Sequence, residues 1–127
     1  MSTRCNIIIK DGKQKLYFYR HSDGYPSGVS ETLNKFLDGI KTGKIRDNLS
    51  QAAGWLIIIG RDEATVDGVN KWTGYEWKVG SYEPTDGIHD DIEYLYEIDL
   101  EKKTLKGWNY NGKKAGRVTF EQQKLAA

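Results

Sequence analysis

The sequence predicts an α+β domain with a mostly antiparallel sheet, built from an N-terminal hairpin and a C-terminal meander, with two helices packed on one face. Three observations predict this fold. Strand-like patterns occupy both ends of the chain, apolar residues at helical spacing fill residues 29–59, and Asp-Gly or Asn-Gly pairs separate the extended segments. Because helices and strands are segregated rather than alternating, the order is typical of α+β folds. The 127 residues suit a single domain, 1–127, with its own core.

The first predicted element is a β-hairpin. Residues 6–10 are rich in β-branched side chains, residues 16–20 are largely aromatic, and Asp11-Gly12 lies between them. Asp-Gly favours a hairpin turn because the turn requires positive φ. We therefore expect two antiparallel strands at the start of the chain.

The first predicted helix follows a turn-rich segment. Apolar residues from Val29 to Ile40 recur at helical spacing, with charged residues between them. Ser27 or Ser30 is expected to cap its start, because a hydroxyl can accept a hydrogen bond from a free N–H of the first turn. Gly43 is expected to lie at or just beyond its end.

The second predicted helix begins near Asn48. Asn48 and Gln51 have the spacing of a capping box, and the apolar residues that follow form one helical face. The three consecutive isoleucines are also compatible with a buried strand, but the pattern favours a helix that continues to about Ile59. Gly60 is expected to end this element, and residues 61–74 are expected to form a loop.

The remaining strands are predicted from alternating patterns between turn signals. The strand-like segments are residues 75–82, 92–100, 104–110 and 117–120. In the second segment, four apolar residues are predicted to share one face: Ile92, Tyr94, Tyr96 and Ile98. Asn111-Gly112 predicts the last hairpin turn.

Composition and charge argue against several classes of protein. Lys and Arg number 19 against 18 Asp and Glu, so the net charge of +1 supplies no overall field toward nucleic acid or a membrane. The longest apolar run, residues 55–59, is too short to cross a bilayer. The one cysteine, Cys5, cannot form an internal disulfide and is expected to be buried, which favours a cytoplasmic protein.

The segment 19–26 carries the most unusual set of side chains. Four of them lie at the end of a predicted strand, where rigid scaffolds often present functional groups: Arg20, His21, Asp23 and Tyr25. Arg20 could hold an anion, because its planar guanidinium donates two hydrogen bonds at once, and Tyr25 could offer a ring face. The alternative is that Asp-Gly-Tyr-Pro only forms a demanding turn and that Arg20 is an ordinary surface residue.

A second polar cluster at residues 86–91 contains the other histidine. His89 and the neighbouring Asp90 could bind a divalent metal or act as a general base, although a solvated acidic loop is favoured. Combined with His21 and Asp23, this cluster supports an alternative function as an enzyme acting on nucleotides or phosphodiesters. The spacing matches no known metal motif, and no local arrangement is recognisable that would hold either histidine for catalysis, so the sequence predicts no catalytic residue, metal site or cofactor.

A third candidate surface lies on the C-terminal hairpin. Trp108 and Tyr110 are interleaved with basic residues, namely Lys102, Lys103, Lys106, Lys113, Lys114 and Arg117. Such a pattern can bind single-stranded nucleic acid or a nucleotide. A solvated hairpin whose lysines protect the sheet edge is the favoured interpretation of the same pattern. Nearby acidic residues dilute the positive field, so nucleic acid is not the favoured partner.

A resemblance to a known family rests on two segments. They are residues 3–7, Thr-Arg-Cys-Asn-Ile, and residues 16–26, which contain Tyr-Arg-His-Ser-Asp-Gly-Tyr-Pro. They resemble a family of small proteins of bacteriophages, prophages and bacteria, to which residues 91–96 are also similar. Ser22 stands where family members often carry Trp or Tyr. The resemblance implies a small accessory protein in a bacterial cytoplasm, a class that often occludes a host protein or captures a host signal molecule.

The sequence therefore favours a non-enzymatic binding protein that occupies a host protein or sequesters a small anionic ligand such as a nucleotide. Seven residues are the candidate contacts: Arg4, Arg20, His21, Asp23, Tyr25, Trp108 and Tyr110. Replacement of Arg20 is expected to abolish binding with little loss of stability. A module that self-assembles through its exposed sheet edge is a third alternative, so a homo-oligomer is also compatible with the sequence.

Overall fold

The computed structural model describes residues 2–71 and 81–119. In chain order, the helices and strands are β1 (Cys5–Asp11), β2 (Gln14–Arg20), α1 (Pro26–Lys41), α2 (Leu49–Ala64), β3 (Thr65–Val66), β4 (Val69–Asn70), β5 (Glu83–Thr85), β6 (Tyr94–Asp99), β7 (Thr104–Tyr110) and β8 (Lys114–Val118).

One sheet dominates the molecule, with the strand order β5-β2-β1-β6-β7-β8. All neighbouring pairs are antiparallel except β1 and β6, which are parallel. A parallel pair needs a long crossover, and α1 and α2 lie in the connection that supplies it. The predicted N-terminal hairpin turns at Gly12, which has a φ of 63°, and the C-terminal meander turns at Gly112, with a φ of 74°. The predicted α+β fold is confirmed.

Helix α1 begins one residue after Tyr25, whose side chain makes no capping hydrogen bond. The expectation that Ser27 or Ser30 caps this helix is therefore wrong. Pro26 occupies the first turn instead, where its missing N–H leaves no donor unsatisfied and its fixed φ suits the helix. Gly43 follows the end of the helix with a φ of 78°, as predicted.

Helix α2 begins as predicted and ends later than predicted. The Asn48 side chain accepts a hydrogen bond from the backbone N–H of Gln51 at 3.2 Å. The helix does not stop at Gly60 but runs to Ala64. Gly60 allows α2 to pack closely against Tyr82, because a Cβ at this position would lie 2.7 Å from a ring carbon of Tyr82.

The chain after α2 also differs from the prediction. Where a loop was expected, β3 and β4 form a short hairpin through Asp67 and Gly68, both with positive φ. The predicted strand 75–82 lies outside the described residues except for its last two. β5 contains Pro84, which is tolerated because β5 is an edge strand of the sheet.

The main core lies between the helices and one face of the sheet. It includes Ile7, Ile9, Phe18, Tyr96 and Ile98 from the strands, and Leu33, Phe36 and Leu56 from the helices. Both helices thus cover the same sheet face, as predicted. Burial raises the pKa of the Cys5 thiol to about 12, so the thiol stays protonated within this core.

The opposite face of the sheet, which we call the open face, carries a smaller apolar cluster. Ile8, Tyr19 and Leu95 lie on it, and Ile92 packs against them from the segment before β6. The prediction that Ile92 shares a face with Tyr94 is therefore wrong, because the strand begins only at Tyr94. In the described part of the chain, no helix has the length and apolar character needed to span a bilayer.

Candidate functional site

Arg20 is buried at the end of β2, with 2% of its surface exposed. Its Nε donates to the carbonyl oxygen of Ser22 at 2.8 Å, and its Nη1 donates to the Glu63 carboxylate at 2.7 Å. Its Nη2 donates to the carbonyl oxygen of Gly28 at 3.2 Å, and the Tyr82 ring centroid lies 5.1 Å from its Cζ. These contacts join β2, the following turn and both helices.

Arg20 therefore does not lie at the surface, and the expectation that it does is wrong. An arginine needs free N–H groups to grip a ligand, whereas each nitrogen of this guanidinium donates to a neighbouring group of the fold. The burial also contradicts the expectation that Arg20 can be removed with little loss of stability. Its removal leaves Glu63, which also accepts from Ser81 at 2.7 Å, without its charged partner.

The Asp-Gly-Tyr-Pro turn packs tightly against the start of β1. Asp23 has a φ of 57°, and its carboxylate accepts a hydrogen bond from the Tyr25 hydroxyl at 3.3 Å. Gly24 donates its N–H to the carbonyl oxygen of Thr3 at 2.9 Å. A Cβ on Gly28 would lie only 2.2 Å from the carbonyl oxygen of Asp23. The turn thus has a structural role in which Asp23 takes part, while Tyr25 stays 36% exposed.

Residues from three separate segments meet beside the start of β1 and the end of β2. We call this group, formed by Arg4, Tyr19, His21, His89 and Asp91, the Arg4 corner. Nε of Arg4 lies 3.4 Å from Nδ1 of His21 and 3.4 Å from Oδ2 of Asp91. The Tyr19 hydroxyl donates to Oδ2 of Asp91 at 3.0 Å. The Tyr19 ring stacks on His89 with centroids 4.0 Å apart, and its centroid lies 6.2 Å from that of His21.

The loop that carries His89 is anchored on the open face by the buried Asn6. Asn6 accepts a hydrogen bond from the backbone N–H of His89 at 2.8 Å, and its amide donates to the carbonyl oxygen of Phe18 at 2.8 Å. His89 Nε2 also lies 2.8 Å from the Thr85 hydroxyl. Asn6 and Tyr19 were not predicted from the sequence, although an asparagine in a strand of isoleucines is a recognisable signal of a buried polar contact.

Both histidines of the corner have a hydrogen-bonding neighbour in the fold. His21 is held by Arg4 and His89 by Thr85, and among residues 2–71 and 81–119 neither imidazole bonds to a carboxylate. Burial, the hydrogen bond to Asp91 and its negative charge raise the pKa of Tyr19 to about 12. Tyr19 is therefore a hydrogen-bond donor rather than a base at neutral pH. The described residues also contain no group of three or more side chains placed to hold a metal ion.

Trp108 lies on the open face, opposite Leu95 on one side and Arg117 on the other. Nζ of Lys114 lies 3.8 Å from the Trp108 ring centroid, and Cζ of Arg117 lies 5.7 Å from it. Tyr110 packs against the open-face apolar cluster. Trp108 and Tyr110 therefore both lie on the open face of the sheet, and the two cations beside the Trp108 ring come from β8 of the same hairpin.

Glu97 lies between two lysines in the middle of the open face. Its carboxylate is 2.6 Å from Nζ of Lys114 and 3.2 Å from Nζ of Lys10. Burial by itself would raise the pKa of Glu97, but the hydrogen bonds and positive charges of the two lysines outweigh it and lower the pKa below 4.5. The two ion pairs connect β1, β6 and β8.

This lowered pKa predicts a pH-dependent stability. The ion pairs should stabilise the fold above pH 4.5, and the contribution should disappear as the pH falls through the folded pKa of Glu97. Glu97→Gln is expected to lower the free energy of unfolding by about 1 kcal/mol at pH 7. Well below the pKa of Glu97, the variant and the wild-type chain are expected to be equally stable. Urea unfolding at a series of pH values measures this. Asp47→Asn is the control, since its pair with Lys103 is exposed; an equal, pH-independent loss in both variants would contradict the assignment.

Comparison of the chain with models of known families, with curated proteins and with solved structures finds no match. The site is therefore interpreted from its geometry. Of the sequence-predicted residues, the structure brings Arg4 and His21 together, and His89 of the 86–91 loop stacks on the neighbouring Tyr19. Asp23 and Tyr25 lie nearby along the chain, bonded to each other.

Proposed function

We propose that this protein is a non-enzymatic binding protein that captures a small anionic ligand with an aromatic ring, such as a nucleotide, at the Arg4 corner. The observation that supports this most strongly is the convergence of Arg4, His21 and His89 around Tyr19. In the setting that the family resemblance implies, the protein acts as an accessory protein in a bacterial cytoplasm and withholds the ligand from the host.

Arg4 takes the ligand-binding role that the sequence pattern assigned mainly to Arg20. The Arg4 side chain is 35% exposed, and its contacts to His21 and Asp91 are made through Nε. Its two Nη groups donate no hydrogen bond to any residue in the described part of the chain. A phosphate that accepts from both Nη groups would form the bidentate pair for which arginine is the preferred residue.

The rings around Arg4 provide the second half of the recognition. The imidazole of His21 is exposed beside Arg4, and the Tyr25 ring is the nearest exposed aromatic side chain along the sequence. Tyr19 and His89 stack on each other, and this contact holds the two rings in a fixed position within the corner. A ligand that carries both a negative charge and a flat ring could therefore contact a cation and a ring at the same time.

Calorimetric titration tests this proposal with a panel of nucleoside mono-, di- and triphosphates and inorganic pyrophosphate. Arg4→Ala is expected to weaken binding of the best ligand about tenfold or more, because a hydrogen bond to a charged group is lost. Arg46→Ala is the matched control, since Arg46 is exposed in the loop between the helices and its side chain makes no contact with the corner. Equal affinity of both variants would contradict the role of Arg4.

A further inference from the structure

Helix α2 has apolar residues on its outer as well as its inner side. Leu56 and Ile59 are buried in the core, whereas Trp55 and Ile58 face outward, 41% and 43% exposed. A helix that is apolar all round is normally covered on every side. Trp55 and Ile58 line a groove of about 730 Å³ between α1 and α2, on the side of the molecule opposite the open face.

The groove has a defined direction because the helices are antiparallel. Arg20 joins Gly28, in the first turn of α1, to Glu63, in the last turn of α2. Glu31 of α1 and Asp62 of α2 therefore line the same end of the groove. Lys44 lines the other end, beyond the end of α1.

Charges alternate along the α1 side of this groove. In order they are Glu31, Lys35, Asp38 and Lys44, that is negative, positive, negative and positive. None of the four forms an ion pair with another described residue. Read from the opposite end, the order of the four charges is positive, negative, positive and negative. If two copies of this row lie side by side in opposite directions, each charge therefore faces a charge of opposite sign.

We propose that this groove is a two-fold interface with a second copy of the chain. An isologous interface places the same surface of two subunits against each other in reversed direction. Glu31 would then face Lys44 of the other copy, and Lys35 would face Asp38. Trp55 and Ile58 supply the apolar centre of the interface, and Trp is among the residues that contribute most at such centres. This proposal is independent of the proposed function, because the Arg4 corner lies on other elements.

Sedimentation equilibrium over a concentration series tests the interface with charge reversals. The wild-type chain is expected to pass from monomer to dimer as its concentration rises. Lys35→Glu and Asp38→Lys each place like charges together and are expected to raise the dimer dissociation constant at least tenfold. The double variant Lys35→Glu/Asp38→Lys restores complementarity, as does an equimolar mixture of the two single variants, so both are expected to dimerise again.

Lys41→Glu serves as the control, because Lys41 belongs to the same helix but does not line the groove. Circular dichroism of every variant checks that α1 and α2 stay folded. A wild-type chain that stays monomeric throughout would overturn the proposal and leave the groove to a different partner. Single reversals that dimerise as tightly as the control, or a double variant as weak as the single ones, would equally overturn it.

Discussion

Replacement of Arg20 by alanine is expected to lower the free energy of unfolding by about 3–5 kcal/mol, the range for breaking one partner of a buried ion pair. The loss has two causes. The Glu63 carboxylate keeps its position in the fold without a neutralising charge, and the carbonyl oxygens of Ser22 and Gly28 lose their donors. Urea unfolding followed by far-UV circular dichroism measures the change.

Two further variants identify the cause of that loss. Glu63→Gln is expected to destabilise less than Arg20→Ala, since glutamine keeps one acceptor for the guanidinium and for Ser81. Arg46→Ala, which removes an exposed arginine, is expected to change the stability by less than about 0.5 kcal/mol. If Arg20→Ala proved as stable as Arg46→Ala, Arg20 would not hold the helices and the turn together.

Gly28→Ala is expected to destabilise the protein by about 3 kcal/mol, the upper end of the range for overpacking. The added Cβ would lie 2.2 Å from the carbonyl oxygen of Asp23. Backbone cannot move aside as a flexible side chain can, so either the turn or the first turn of α1 must shift. The shift would also disturb the carbonyl oxygen through which Gly28 accepts from Arg20.

Gly54→Ala is the matched control for Gly28→Ala, since it makes the same chemical change in a helix. A Cβ on Gly54 would have no neighbour within 4 Å. Because alanine favours the helix over glycine, this variant is expected to be more stable by about 0.5–1 kcal/mol. Thermal unfolding of both variants gives the comparison. A stable Gly28→Ala variant would contradict the close approach of α1 to the turn.

Most of the fold could be predicted from the sequence because the local signals for it were strong. Asp11-Gly12 and Asn111-Gly112 marked the β1–β2 and β7–β8 hairpins, and Asn48 marked the start of α2. The errors have tertiary causes. Gly60 looked like a helix end because its role, making room for Tyr82, depends on a residue 22 positions away in the sequence.

The candidate site was harder to predict, since burial decides which arginine is available to a ligand. Arg4 and Arg20 both lie next to strand ends in the sequence, and only the arrangement of the helices separates them. Glu63, from the end of α2, pairs with Arg20 and leaves Arg4 at the surface. The position of His89 beside Tyr19 was equally hard to predict, because it depends on β5 pairing with β2 and on Asn6 holding the 86–91 loop.

The most direct test of ligand capture is native mass spectrometry of the protein gently purified from bacterial cells at low salt. We expect that the wild-type chain and Arg46→Ala retain an added mass of nucleotide size, and that Arg4→Ala has lost it. The bare mass of the chain in all three samples, or an added mass that Arg4→Ala retains in full, would contradict capture of an anionic ligand at the Arg4 corner.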